Sequence, residues 1–79
     1  MTPQYTVSGS VIFNSEHMPM TMEKALLIRS IHQMNAAHWL AEEKFSRADC
    51  LKVAAVEQAL ADEMAEAIRE ATQSERVAA

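Results

Sequence analysis

Phe45-Ser46-Arg47-Ala48-Asp49-Cys50-Leu51-Lys52 is the stretch on which the architecture turns. On both sides of it the chain reads as helix. From Thr21 to Ala79 there is no Gly and no Pro, and good helix formers dominate. Leu27, Ile31, Met34, His38, Ala41 and Phe45 follow steps of four and three, forming one apolar seam. Val53, Val56, Leu60, Met64, Ala67 and Ala71 form a second. Extending the first seam reaches Ala48 and then Lys52, and a lysine is wrong for a core. Ser46 followed three residues later by Asp49 resembles a capping box, with Asp in place of the usual Glu. The seams are therefore assigned to two helices, 21–45 and 47–73, with a break between Phe45 and Arg47. The alternative is one unbroken helix about 80 Å long, with Glu43 and Arg47 as an i,i+4 pair across the junction.

Upstream, Thr21 reads as the N-cap of the first helix, and Glu23 in the first turn complements the dipole. Pro19 biases Met18 away from helix, so 14–20 reads as a short polar loop. Tyr5 to Phe13 alternates. Tyr5, Val7, Val11 and Phe13 share one face around Gly9; Thr6, Ser8 and Ser10 share the other, with Ile12 as the exception. That pattern predicts one strand over 5–13. A hairpin turning at Ser8-Gly9 would set Val7 with Ser10 and Thr6 with Val11, a less clean division. Residues 74–79 are expected to be a frayed tail.

The expected architecture is mainly α, in a single domain over 1–79: a short N-terminal β-strand followed by a two-helix hairpin. At 79 residues and 8.8 kDa the chain is short for a self-sufficient core. One cysteine excludes an internal disulfide framework, and 49% hydrophobic residues exclude a disordered chain. A lone strand would also leave a row of backbone groups unpaired. A second copy relieves both deficits, giving four helices around the two seams and a two-stranded ribbon centred near Gly9. Frequent alanine in the second helix, with little apolar area per residue, points the same way. Addition of the strand to a target's sheet edge is the other solution.

The formal net charge of −4 argues against a general nucleic-acid binder. Residues 1–20 carry only Glu16, the first helix is balanced, and the excess lies in the second helix. There Asp62, Glu63, Glu66 and Glu70 form an acidic ridge, read as a solvated face or a surface for a basic partner. The N-terminus shows no signal-peptide pattern and no stretch has the length of a membrane span. A soluble, cytoplasmic protein is expected, with no membrane partner.

His38 lies on the apolar seam one turn from Glu42. It reads as a seam histidine; with Glu42 and residues of another chain it is a metal-ligand alternative. Neither H-E-x-x-H nor the inward Glu-x-x-His of di-iron bundles is present. His32, one residue off the seam, reads as a boundary residue, and His17 as a solvated loop residue. Cys50 reads as a small buried apolar side chain. Met18, Met20 and Met22 read as an adaptable plug under the strand or as a partner-facing patch. Trp39, Phe45, Tyr5 and Phe13 are the large anchors an interface would use. The single Gly excludes a phosphate-binding loop, and no Ser/His/Asp arrangement or CxxC occurs.

Strand, helix, helix in a dimer also resembles the ribbon-helix-helix DNA-binding class, in element order only. In that class basic or amide side chains on the ribbon read base edges, whereas Thr6, Ser8, Ser10 and Ile12 stand here. The expected function is a non-enzymatic protein-interaction module: a homodimeric regulator or inhibitor that binds a protein target and needs no cofactor. Accessory proteins of phages and mobile elements that inhibit host systems share this format. The expected interface comprises Tyr5, Val7, Val11, Phe13, Leu27, Ile31, Met34, His38, Trp39 and Phe45.

Overall fold

The computed structural model describes residues 3–78. The fold is mainly helical, with a three-stranded antiparallel sheet and two helices. The elements are β1 (Thr6–Ser8), β2 (Val11–Phe13), β3 (Pro19–Met20), α1 (Met22–Ala41) and α2 (Arg47–Ala78). The sheet order is β1-β2-β3.

The expected single strand over 5–13 is corrected to a hairpin. β1 and β2 pair Thr6 with Phe13, Val7 with Ile12 and Ser8 with Val11. Gly9 takes φ +61 at the first turn position and Ser10 follows, as a two-residue II′-type hairpin requires. This turn lies one residue later than the Ser8-Gly9 alternative, and the shift changes every cross-strand partner. Val7 and Ile12 now share a face, joined by Met20 opposite Ile12 on β3. All three point toward the helices, and Ile12 is 2% exposed. Ile12 broke the single-strand pattern because a two-residue turn inverts the alternation of the returning strand. Thr6, Ser8, Val11 and Phe13 form the outer face. The strand therefore finds its partner within the chain, and the reasoning that required a ribbon shared between copies loses its premise.

Asn14 organises the β2–β3 loop. Its Oδ1 accepts from the N–H groups of Glu16 at 2.9 Å and Met18 at 3.0 Å, an Asx-type turn. His17 takes φ 60 within it. Pro19, which has no N–H to donate, stands on an edge strand, where that absence costs nothing.

Thr21 caps α1 as expected: its Oγ1 accepts from Lys24 N–H at 3.1 Å. α1 stops at Ala41, four residues before the expected Phe45. The terminator is Glu42, which turns to an extended conformation (φ −70, ψ 132). Its Oε1 accepts from the N–H groups of Glu43 and Lys44, at 3.1 and 3.0 Å. Arg47 Nη1 donates to the Leu40 carbonyl at 2.6 Å, satisfying one of the acceptors that a helix end leaves open. These contacts do the work of the missing C-terminal glycine. Ser46 precedes α2 and accepts at Oγ from Asp49 N–H at 3.4 Å. The break thus lies at Glu42 to Ser46, and the unbroken-helix alternative is overturned. α2 continues through Ala78, past the expected end at 73, so helix stands where a frayed tail was expected; Ala79 lies outside the described residues. Met1 and Thr2, the start of the segment read for a signal peptide, also lie outside them.

The helices pack antiparallel, but not on the expected seams. The stripe that α1 turns inward contains buried Ala25 and Ala36 and half-buried Ile28, His32 and Trp39. On α2 it is Cys50, Ala54, Ala61, Met64, Ala67 and Ala71, all buried. The C-terminal half of the second seam (Met64, Ala67, Ala71) is confirmed as core; Val53 and Val56 are exposed. The helix interface is built mainly from small side chains, which let two backbones approach closely. Where the sheet covers the hairpin, Ile12, Ala25, Met64, Ala67 and Ala71 form one cluster, with Tyr5, Val7, Met20, Met22, Ile28 and Ile68 packed around it. Met20 and Met22 thus serve the core, while Met18 is exposed.

Candidate functional site

The outer side of α1 is the first candidate. Leu27 is 59% exposed, Ile31 44% and Met34 70%; Leu26 and Leu40, off this stripe, are also exposed. His38 continues the stripe with a 65% exposed side chain, its Nε2 3.4 Å from Glu42 Oε2. The core or register role expected for His38 is corrected: it faces outward. Phe45 is 60% exposed beyond the end of α1, its ring tilted against half-buried Trp39 at a centroid separation of 5.8 Å. α1 therefore carries apolar residues on two sides: Ala25, Ile28, Ala36 and Trp39 inward, and Leu27, Ile31 and Met34 outward. Ordinary amphipathicity confines the large ones to one buried side.

The other expected interface residues scatter. Tyr5 and Val7 are half-buried against the helices. Val11 is exposed and Phe13 half-buried on the outer face of the sheet, apart from the helical core cluster. The acidic ridge also divides. Glu63 Oε1 accepts from the backbone N–H groups of Gln4 (2.6 Å) and Tyr5 (3.1 Å), so this carboxylate fastens the N-terminal segment. Asp62 accepts from Gln58 Nε2 at 3.0 Å, and Glu66 pairs with Arg69. Glu63, Glu66 and Glu70 line a shallow groove of about 260 Å³ with Pro3, Tyr5 and Ala67.

A polar chain that crosses the hairpin was not foreseen. The Tyr5 hydroxyl lies 3.1 Å from His32 Nε2, and His32 Nδ1 lies 2.7 Å from Glu57 Oε2. A carboxylate only accepts, so Nδ1 donates to Glu57, and in the neutral imidazole Nε2 accepts from the Tyr5 hydroxyl. The order phenol, imidazole, carboxylate looks like a nucleophile relay. The Tyr5 pKa, however, is raised above its ordinary 10.0, first by burial, then by the negative charges of Glu63 and Glu57. A nucleophile is activated by the opposite shift. Tyr5, His32 and Glu57 act as a strut joining the N-terminal segment to both helices. Sequence reading left His32 at a boundary because its partners lie 27 and 25 residues away, outside any spacing motif.

The strut has a pH signature. A raised folded-state pKa means the native state holds the Tyr5 proton more tightly than the unfolded chain, so stability falls once pH passes about 10. The urea midpoint of the wild type is expected to fall more steeply between pH 9 and pH 11 than that of Tyr5→Phe. Parallel curves would remove the strut from the account.

Cys50 is buried, its Sγ 3.9 Å from the Glu42 carbonyl oxygen, as a small core side chain. Among the described residues no group of three or more His, Cys, Asp or Glu could hold a metal ion, so His38 and Glu42 stand as a pair only. Among the described residues no helix is long and apolar enough to cross a membrane. No protein-family model, curated protein or solved structure matches the chain.

Proposed function

We propose that the chain is a small non-enzymatic protein-interaction module, a regulator or inhibitor that works by occupying a protein target. An accessory protein of a phage or mobile element acting on a host system has this format. The observation that supports it is a second apolar side on α1: Ala25, Ile28, Ala36 and Trp39 already face inward, yet Leu27, Ile31 and Met34 stand in solvent. Contiguous exposed apolar surface of this kind marks contact sites. The reading also agrees with a polar strut whose members satisfy one another. A ribbon-helix-helix mode of DNA binding has less support. It needs a lone N-terminal strand that pairs only across a dimer, whereas β1 is one arm of a hairpin with β2, and residues 1–20 contain no Lys or Arg.

The test uses the full chain as bait in a lysate of the cell that makes it, with Ile31→Glu as the matched control. A protein retained by the wild type, lost with the variant, and shown to bind by calorimetry with both components purified is the expected result. Failure of the wild type to retain any protein that then binds in purified form overturns the proposal.

A further inference from the structure

The inference concerns what covers the outer side of α1 when no target occupies it, and it rests on the interaction-module reading. The chain exposes 5801 Å² of surface. A compact monomer of 8.8 kDa exposes about 4,800 Å² by the usual mass scaling. The surplus is on the order of 1,000 Å², comparable with the roughly 800 Å² that each partner loses in a standard interface. It accompanies an elongated outline, 49 × 21 × 16 Å, in which α1 is covered on its inner side only.

We propose that the outer stripe of α1 docks on the same stripe of a second copy, antiparallel, about a two-fold axis passing between Ile31 and Met34. The spacing suits it: Leu27, Ile31, Met34 and His38 follow steps of four, three and four, the seam along which two helices pack side by side. The two-fold sets Ile31 of one copy against Met34 of the other and Leu27 against His38. Each residue meets its complement twice, as an isologous contact requires.

Charge bears on the occupant, and the helix dipole with it on the direction. Between Lys24 and Glu42 the only formally charged residue of α1 is Arg29, and it is half-buried. The stripe thus offers no charge for a partner of opposite sign to read, and an identical uncharged stripe meets it without penalty. Antiparallel docking brings the Glu23–Lys24 end of each copy, where the two charges cancel, to the Glu42–Glu43–Lys44 end of the other. Parallel docking would set Glu42–Glu43 beside Glu42–Glu43 and would also align the helix dipoles unfavourably.

Light scattering of the full chain is expected to give twice the 8.8 kDa chain mass. Ile31→Glu should halve that mass and leave the helical circular dichroism unchanged. Leu27→Ser provides a second, milder variant, expected to weaken the dimer severalfold. A wild-type monomer across a wide concentration range overturns the inference, as does a folded Ile31→Glu that stays dimeric. Orientation is read by cross-linking in a Cys50→Ala background. Leu27→Cys mixed with His38→Cys should give a disulfide-linked pair under mild oxidation, and neither variant alone should. Linkage within either variant alone overturns the antiparallel arrangement. A monomer that still binds a target through the stripe rejects the second copy and keeps the module. A dimer that retains no target rejects the module and keeps the second copy.

Discussion

Met64→Ala is expected to remove about 2–5 kcal/mol of stability, the usual range for truncating a buried methionine. The side chain is 0% exposed and stands among Ile12, Ala25, Ala67 and Ala71, where the sheet meets both helices. Three of the four buried residues clustered with it are alanines, whose methyl groups cannot swing into the vacated space, so part of the cavity persists. At about 0.05–0.15 kcal/mol per residue, a chain of 79 residues has roughly 4–12 kcal/mol in total. The variant should therefore lose on the order of 10 °C or more in Tm and be partly unfolded at the low end of that range. Urea unfolding followed by circular dichroism, at one fixed protein concentration, measures the loss. Met18→Ala, with 56% of the residue exposed, is the control and should change little. A loss below about 1 kcal/mol for Met64→Ala would place it outside the ordinary behaviour of a packed core.

Ala61→Leu is expected to cost about 1–3 kcal/mol or more by overpacking. Ala61 is 1% exposed on the stripe that α2 turns to α1. An isobutyl group there has no open side to escape into, so the helices must separate or the side chain must leave its preferred rotamer. Ala59→Leu, exposed on the same helix, should stay within about 0.5 kcal/mol of wild type. Intrinsic helix propensity is nearly equal for the two residues, so the difference between the variants reports packing alone. Equal urea midpoints for Ala61→Leu and Ala59→Leu would mean that the helices do not approach through their alanines.

The contrast between these two sites shows where the sequence was readable. Helical character from Thr21 onward needed only composition, and the Thr21 cap needed only residue type and position. The break was placed within a few residues because Lys52 spoiled the first seam and Ser46 offered a cap. Its mechanism was not visible. Glu42 ends α1 by accepting two N–H groups of the chain that follows it, a role that a glutamate does not announce. The seams were misread for a physical reason. Periodicity weights large side chains, and α1 has two periodic stripes, one of alanines with Ile28, His32 and Trp39, the other of Leu27, Ile31 and Met34. Which stripe faces α2 depends on α2, whose own inner stripe is small. The sheet was missed by parity, since a two-residue turn inverts the alternation that was taken as one strand. Gly9-Ser10 flanked by β-branched and aromatic residues was the available signal, and Ile12 out of phase was its confirmation. The strut of Tyr5, His32 and Glu57 joins three distant segments, so no local pattern carried it.

Glu63 gives the fold a topological property. By holding the N–H groups of Gln4 and Tyr5, it joins points 59 and 58 residues apart and closes most of the described chain into a ring. The contacts between neighbouring elements, within the sheet meander and across the helical hairpin, form over short separations. This clasp spans the long one. Loop closure costs free energy that grows only with the logarithm of length, so a ring of this size is little dearer than a much smaller one. In a chain whose only cysteine is buried, a carboxylate thus forms the end-to-middle tie that small domains elsewhere make with a disulfide. Unlike a disulfide, it opens and recloses without redox chemistry, while the packing of Ile12 on Met64, Ala67 and Ala71 keeps the sheet on α2.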